Sequence, residues 1–392
     1  MEEVKGNIVE TYLDNCATTR VYPEVAELVT KVMLNSYGNP SSLHRKGIEA
    51  ENIVKTARRQ IARVLAVEPE TIVFTSGGTE ANNLALVGAA RARRRKGTHI
   101  ICSAIEHPSV LDTIKKLGEE GYNVDFCPVN NQGYIEAKVL ADLVQEDTIL
   151  VSIMAVNNEI GTIQSIPELV QACREKNPEV NFHTDCVQAF GKIEVHPREW
   201  GVNMVTISSH KIHGPKGVGG VYVARGTKLE SLLAGGGQEN KMRAGTENVP
   251  GIAGFGLAAQ LAGDNLSRML DLVSLKQRLV NGLDQMGINY LLNGPAIEKA
   301  APHVINISFP GLKGETILHC LEGNGVYVST GAACSSKKTK ASHVLTAIGR
   351  TEDEAEGSIR VSFSNLNSND DVDRLIEALA STMQRLKPVS RQ

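Results

Sequence analysis

Lys211 stands in a setting where an amine could carry out covalent chemistry. It follows the predicted strand Met204–Ser208, has His210 beside it, and precedes Gly214-Pro215. A lysine that its surroundings partly deprotonate can form an imine with a carbonyl compound. Because most lone lysines are solvated surface charges, this interpretation depends on the surrounding motif. His210 and His213 would share one ligand only in a helix, which Gly214-Pro215 disfavours.

Cys334 lies in a run of small polar residues, Ser329 to Ser336, and a basic stretch, residues 337–340, follows it. An unperturbed thiol with a pKa of about 8.5 is only a few per cent ionised at neutral pH. Nearby cations favour the thiolate, which is the nucleophilic form. A structural cysteine would more often lie inside an apolar strand, as we predict for Cys102. The sequence therefore favours a reactive Cys334.

A glycine-rich turn, Thr75 to Glu80, joins a predicted strand to a predicted helix. Gly77 and Gly78 allow close approach of the backbone, and the start of the helix presents unpaired N–H groups that could hold a phosphate. A plain turn could have the same sequence, so this motif alone leaves both interpretations open. The run from Gly214 to Gly220 lacks the ending of a P-loop and indicates a bend before the strand Val221–Ala224.

His183, Asp185 and Gln188 stand where another predicted strand ends. In open α/β sheets, ligands bind beyond the carboxyl ends of the strands. Asp185 could therefore hold a protonated ring nitrogen, and Gln188 could reach a neighbouring polar atom. A metal site built from His183, Asp185 and Cys186 is the alternative. It is disfavoured because His183 and Asp185 share one face of a strand while Cys186 points away, and we expect no metal.

These motifs need a scaffold of strands and helices, which the order of elements predicts. Short apolar strands alternate with helices, as in a mainly parallel sheet covered on both faces. The sequence thus predicts a large α/β domain over residues 16–262. After Asp264 the order of predicted helices and short strands changes. This change predicts a smaller α+β domain, residues 1–15 and 263–392, that carries the Cys334 loop. Strands of the large domain are predicted at Thr71–Thr75, His99–Cys102, Ile149–Met154, Asn181–His183 and Met204–Ser208, and those of the small one at His303–Phe309, Gly325–Ser329 and Ser358–Phe363.

The composition of the 392-residue chain, 42% apolar and 22% charged, is that of a globular protein. With 41 basic and 44 acidic residues the net charge is −3, which argues against direct nucleic-acid or anionic-membrane binding. The basic run from Arg91 to Lys96 ends a predicted helix, where cations are favoured. No stretch is long and apolar enough to span a bilayer. Seven scattered cysteines and no apparent export signal favour a reducing compartment, and we expect a cytoplasmic location.

Taken together, the motifs resemble those of cysteine desulfurases of the NifS/IscS-like group, which are class-V aminotransferases that bind pyridoxal 5'-phosphate (PLP) in fold type I. The resemblance runs from Tyr12 to Arg360 in one consistent order. It implies an α/β fold with a mainly parallel seven-stranded sheet in the large domain. The matching segments are Tyr12–Thr19, Gly38–Ser42, Thr75–Glu80, Glu106-His107, Asn157–Gly161, His183–Gln188, Ser208–Lys211, Arg243–Asn248, the Cys334 loop and Ser358–Arg360.

The resemblance also implies a role for each matching residue. Lys211 would hold the cofactor as a Schiff base and move protons, and Cys334 would be the nucleophile. Asp185 would pair with the pyridinium nitrogen, and His107 would stack on the ring and take part in catalysis. The remaining residues would bind the phenolic oxygen (Gln188, Asn158), the phosphate (Gly78, Thr79, Ser208, His210 and, from a partner subunit, Thr246) and the substrate (Arg360 on its carboxylate, with Asn39 and Asn158).

The implied reaction converts L-cysteine to L-alanine and leaves the sulfur on Cys334 as a persulfide. A homodimer would pass this sulfur to an acceptor protein, either an iron–sulfur scaffold or a tRNA-thiolation enzyme. The segment around Cys334 departs from the usual family sequence, which leaves the acceptor open. A selenocysteine lyase or another β-eliminating PLP enzyme is one alternative. A docking platform with little turnover of its own is another.

Overall fold

The computed structural model describes residues 10–330 and 342–386 and confirms the predicted α/β fold. A seven-stranded sheet has the order β2-β8-β7-β6-β5-β3-β4. The strands are β1 Thr11–Tyr12, β2 Ile72–Thr75, β3 His99–Ser103, β4 Asn123–Cys127, β5 Thr148–Ser152, β6 Asn181–Asp185, β7 Met204–Ser208, β8 Gly219–Val223, β9 Leu291–Asn293, β10 Val304–Ser308, β11 Val326–Tyr327 and β12 Ser358–Ser362. The helices are α1 Pro23–Asn35, α2 Arg45–Val64, α3 Gly78–Arg93, α4 Pro108–Glu119, α5 Ala137–Leu143, α6 Ile166–Lys176, α7 Pro197–Trp200, α8 Val249–Asp264, α9 Leu272–Gln285, α10 Gly314–Glu322, α11 His343–Ala347, α12 Glu352–Glu356 and α13 Asn369–Arg385.

The central sheet is parallel from β4 to β7, and β8 runs antiparallel to both β7 and β2. Every residue of β5, β6 and β7 is buried, as expected for strands with helices on both faces. The edge strand β4 was not among the predicted strands, because two of the five residues in its sequence, Asn-Val-Asp-Phe-Cys, are polar and interrupt the apolar run. In the structure only one residue of β4 is buried. The polar motifs at Asp185 and Ser208 thus lie at the carboxyl ends of two adjacent parallel strands.

A second, antiparallel sheet has the order β12-β10-β9 and packs against α9 and α13 around its own hydrophobic core. The domain boundaries given above remain a prediction. The chain around Asp14 runs between the two sheets: Asp14 forms a parallel bridge with Ser362, and Thr19 N donates to the His210 carbonyl. This segment brings groups from both sheets to one place. No helix in residues 10–330 or 342–386 is both long and apolar enough to cross a membrane.

Candidate active site

Asp185 and Ser208, at the ends of β6 and β7, form the floor of the site. Asp185 Oδ1 accepts a hydrogen bond from Val187 N at 2.9 Å, and Oδ2 accepts one from Asn82 Nδ2 at 2.8 Å. Both bonds are donated to the carboxylate, and they fix the direction in which it points. Asn82 comes from α3 and was not identified from the sequence.

The beginning of α3 lies directly over Ser208. A Cβ atom placed on Gly78 would lie 3.0 Å from Val187 Cγ2 and 3.6 Å from Ser208 Cβ, so a side chain there would crowd the floor. Ser208 Oγ is buried and has no hydrogen-bond partner among the described residues. A helix start above a buried, unpartnered hydroxyl fits a phosphate group.

Lys211 points at the chain segment that runs between the sheets. Its Nζ donates to the carbonyl oxygens of Cys16 at 2.6 Å and Ala17 at 2.7 Å. His210, beside it, hydrogen-bonds Thr18 through Nδ1 at 3.2 Å, and burial lowers the pKa of His210 to about 4, with the Lys211 charge adding to the effect. The ring of His210 is therefore neutral at pH 7 and can donate one hydrogen bond.

His107 stands at the start of α4 and is linked to Asp185 through side chains. Its Nδ1 lies 2.8 Å from Ser109 Oγ and also accepts from Ser109 N. Asn82 Nδ2 in turn donates to Ser109 Oγ and to Asp185 Oδ2, both at 2.8 Å. Burial lowers the pKa of His107, although the nearby Asp185 carboxylate acts in the opposite direction. A neutral, fixed ring next to Asp185 is suited to lie against a flat cofactor.

Gln188 hydrogen-bonds the same carbonyl oxygen as Lys211, that of Cys16. Its Nε2 donates to the Cys16 oxygen at 3.0 Å, and its Oε1 accepts from Lys192 Nζ at 2.9 Å. Lys192 is buried and was not identified from the sequence. The predicted site residues Lys211 and Gln188 therefore meet at one main-chain atom.

Arg360, on β12, closes the site from the small sheet. The residue is 5% exposed. Its side chain donates to Asp14 Oδ1 at 2.8 Å and to the Asn158 carbonyl at 3.1 Å, and its Nε has no partner among the described residues. A buried guanidinium with an unused N–H can donate a hydrogen bond to a substrate carboxylate. Arg360 contacts Asp14, and Lys211 contacts Cys16, two residues further along the chain. Both side chains therefore reach the same segment.

Cys334 itself lies outside the described residues, but both flanks of its segment end at this site. Ser329 forms a main-chain bridge with Arg360. On the other side, Ser342 Oγ donates to Glu159 Oε2 at 2.5 Å, and Glu159 follows Asn158.

Three predicted residues are exposed and make no described contact with the others. Asn39 Oδ1 accepts from Ser41 N in a turn before α2. Thr79 lies in the first turn of α3 and Thr246 in the loop before α8, both at the surface. Their proposed roles remain predictions. Among the described residues, no three His, Cys, Asp or Glu side chains are grouped as metal ligands, and His183 hydrogen-bonds Ser152 and Thr206 inside the sheet.

Glu106 is fully buried next to His107. Its Oε1 accepts from Ser103 Oγ at 2.7 Å and from Met154 N at 2.6 Å, while Oε2 has no partner among the described residues. Burial raises the pKa of Glu106 to about 8 despite these bonds, and the Asp185 carboxylate adds to the rise. At neutral pH Glu106 is mainly protonated and places little negative charge beside Asp185.

Replacing Glu106 with glutamine is expected to stabilise the protein, and more so as the pH rises. The folded protein keeps the Glu106 proton up to a pH of about 8, whereas the unfolded chain releases it near the ordinary pKa of 4.5. The wild-type free energy of unfolding therefore falls across this window, by up to about 1.4 kcal/mol per pH unit from this group. Urea unfolding of both proteins at several pH values measures the difference, with Glu119→Gln at the exposed end of α4 as control. A difference that stays constant across the window would contradict the assignment.

The sequence and the structure were both compared with those of known proteins. The model of the family "Aminotransferase class-V" matches residues 11–375. The chain is 40% identical to the cysteine desulfurase IscS of Clostridium botulinum over 383 residues, 97% of this chain and 96% of that relative. A solved NifS-like protein superposes with a TM-score of 0.91 at 39% identity, over 96% of this chain and 100% of its own. SspA, solved in complex with cysteine, gives 0.80 at 33% identity, over 90% of this chain and 98% of its own. The chain therefore belongs to the class-V aminotransferase family and, within it, to the cysteine desulfurases.

Proposed function

We propose that this cysteine desulfurase uses PLP to convert L-cysteine to L-alanine and keeps the released sulfur on Cys334 as a persulfide. The convergence of Lys211, Gln188, Asp14 and Arg360 on one chain segment carries the proposal. It supplies an amine and a carboxylate-binding guanidinium in one buried site. The flanks of the Cys334 segment, attached to the same place, support the choice of nucleophile.

The described residues fit PLP. The start of α3 with Ser208 suits the phosphate, Asp185 the ring nitrogen, and His107 the ring face, while Gln188 Nε2 and Asn158 are assigned to the phenolic oxygen. When bound, PLP serves as an electron sink that weakens the bonds at the α- and β-carbons of an amino acid. The chain's own part is to hold this group rigidly and to exclude water from it.

Lys211, as we propose, binds the cofactor and then moves protons at the substrate's α-carbon. Two carbonyl oxygens hold its Nζ atom next to Gln188, where the amine would be in place to bind the cofactor and to move a proton. Arg360 binds the carboxylate of L-cysteine through its unused Nε–H and orients the thiol side chain. Asn39 is assigned to the substrate as well.

Cys334 performs the sulfur transfer. Its thiolate sulfur forms a bond with the substrate sulfur while the substrate's Cβ–S bond breaks. The electron pair of the broken bond remains with the carbon skeleton, which takes up protons and leaves as L-alanine. The sulfur then passes as a persulfide to an acceptor protein for iron–sulfur cluster assembly or tRNA thiolation.

A steady-state assay tests the function directly. The PLP-loaded protein, given L-cysteine and a chemical reductant, should form L-alanine and sulfide in equal amounts. If the protein is a selenocysteine lyase, loss of Cys334 should reduce the turnover of L-selenocysteine less than the turnover of L-cysteine. No alanine from L-cysteine would refute the proposal, and alanine without any acceptor protein would exclude a pure docking platform.

We also propose a homodimer in the cytoplasm. A patch of large apolar side chains in residues 33–48 is exposed, with Leu43 95%, Tyr37 74% and Leu34 70% accessible. Such a patch is typical of a subunit interface, and a dimer would allow the exposed Thr246 to complete a partner's phosphate site. The six described cysteines are all free, which suits a reducing compartment.

Replacing Leu43 with glutamate is expected to yield a monomer, since a carboxylate would be desolvated at the interface. Light scattering after size-exclusion chromatography measures the mass of the particle. PLP retention should fall in the monomer because it loses the partner's Thr246. Met286→Glu, which changes another exposed apolar side chain, is the control. A dimeric Leu43→Glu protein would place the interface elsewhere.

A further inference from the structure

The amide of Gln188 has a fixed orientation, which Lys192 determines. Lysine has no acceptor atom, so the atom that faces Lys192 Nζ at 2.9 Å must be the carbonyl oxygen Oε1. The amide nitrogen Nε2 then faces the Cys16 carbonyl, the atom that Lys211 also contacts. The second hydrogen of Nε2 makes no described hydrogen bond, so the amide can donate it to a ligand.

His303 reinforces this orientation from the small sheet's side. It is completely buried, and its Nε2 lies 3.3 Å from Gln188 Oε1. Burial lowers the pKa of His303 well below its ordinary value, and the Lys192 charge contributes, so the ring is neutral. Because Nδ1 has no partner among the described residues, we assign the ring hydrogen to Nε2, where it is donated to Gln188.

Lys192 also places a positive charge behind the amide. Burial lowers the pKa of Lys192 to about 8, with Lys211 and Arg360 adding to the fall and Cys16 opposing it. The ammonium is therefore still mainly charged at neutral pH. Burying a cation this deeply costs free energy, and the described hydrogen bond of Lys192 is to a single uncharged oxygen. A buried methionine of similar length would avoid that cost.

We propose that Lys192 and His303 are positioning residues for the cofactor's phenolic oxygen: they fix Gln188 as a hydrogen-bond donor to that oxygen, and the Lys192 charge stabilises its anionic form. This inference rests on the proposed PLP chemistry. It assigns a reason for a buried lysine whose described hydrogen bond is to Gln188. The charged groups that interact with Lys192 are Lys211 and Arg360, with the Cys16 thiol beside them. The neutral rings of His210, His213 and His303 also interact with its charge.

The test is a pH titration of the visible absorption band of PLP bound to Lys211. A cation near the phenolic oxygen favours loss of the proton shared by that oxygen and the lysine nitrogen. Lys192→Met should therefore raise the midpoint of the titration by about one pH unit. Lys192→Arg should restore the wild-type midpoint, and Lys55→Met, which removes an exposed lysine on α2, should leave it unchanged.

His303→Leu separates orientation from charge and also serves if Lys192→Met does not fold. It removes one donor to Gln188 and keeps the ammonium, so the midpoint should rise by a smaller amount in the same direction. If both Lys192→Met and His303→Leu bind PLP and keep the wild-type midpoint, this inference is overturned and the proposed cofactor is not. Absence of the lysine-linked band from the wild type would overturn the proposed cofactor and this inference with it.

Discussion

Lys211→Ala is expected to abolish both the yellow colour and the turnover of L-cysteine. The variant loses the amine that holds PLP covalently and the group that moves the α-proton. Positioned proton transfer alone contributes about 10²–10⁴-fold, so alanine formation should fall by at least about 10³-fold. Absorption spectra of the reconstituted protein and a quantitative alanine assay measure the two effects.

Lys216→Ala is the matched control for that variant. Lys216 lies five residues further along the same stretch and is exposed, so its loss should leave colour and turnover unchanged. Thermal unfolding of both variants checks that the fold is intact. A folded Lys211→Ala protein that still binds PLP covalently would refute the assignment of the lysine.

Cys334→Ala is expected to keep the colour and lose sulfur transfer. Every residue assigned to PLP lies outside the Cys334 segment, so the spectrum should match the wild type. Without a thiol to attack the substrate sulfur, alanine formation should fall by at least about 100-fold, and no persulfide should form on the chain. Alkylation followed by mass spectrometry detects the persulfide.

Cys320→Ala is the control for the thiol, because Cys320 is the one described cysteine that is not fully buried. Its loss should change neither activity nor persulfide content. Full desulfurase activity in Cys334→Ala would remove the nucleophile from the mechanism. A decrease in desulfurase activity in both Cys334→Ala and Cys320→Ala would indicate that sulfur moves along the surface before it leaves the protein.

The sequence predicted those parts of the site that lie in continuous motifs at strand ends. Asp185 and Ser208 end two short strands and Lys211 comes shortly after the second, and parallel strands bring their carboxyl ends to one edge. The strand Met204–Ser208 has the predicted bounds. Local pattern was sufficient here because burial on both faces leaves little ambiguity between strand and loop.

Partners that are distant in sequence could not be predicted in the same way. Asp14 pairs with Arg360, 346 positions away, and Ser342 with Glu159, 183 positions away. Nothing in the local sequence of either member indicates the other. Lys192 and Glu106 reveal their perturbed pKa only through burial, which depends on how the helices pack over the sheet.

Transfer of sulfur from the substrate to Cys334 is the central claim, and labelled substrate tests it most directly. The PLP-loaded protein is given L-cysteine labelled at sulfur, without reductant, and the peptides are analysed by mass spectrometry after alkylation. We expect one labelled sulfur atom on Cys334 for each L-alanine released in the first turnover. Alanine released with the label free in solution from the start, or bound to another cysteine, would contradict the account.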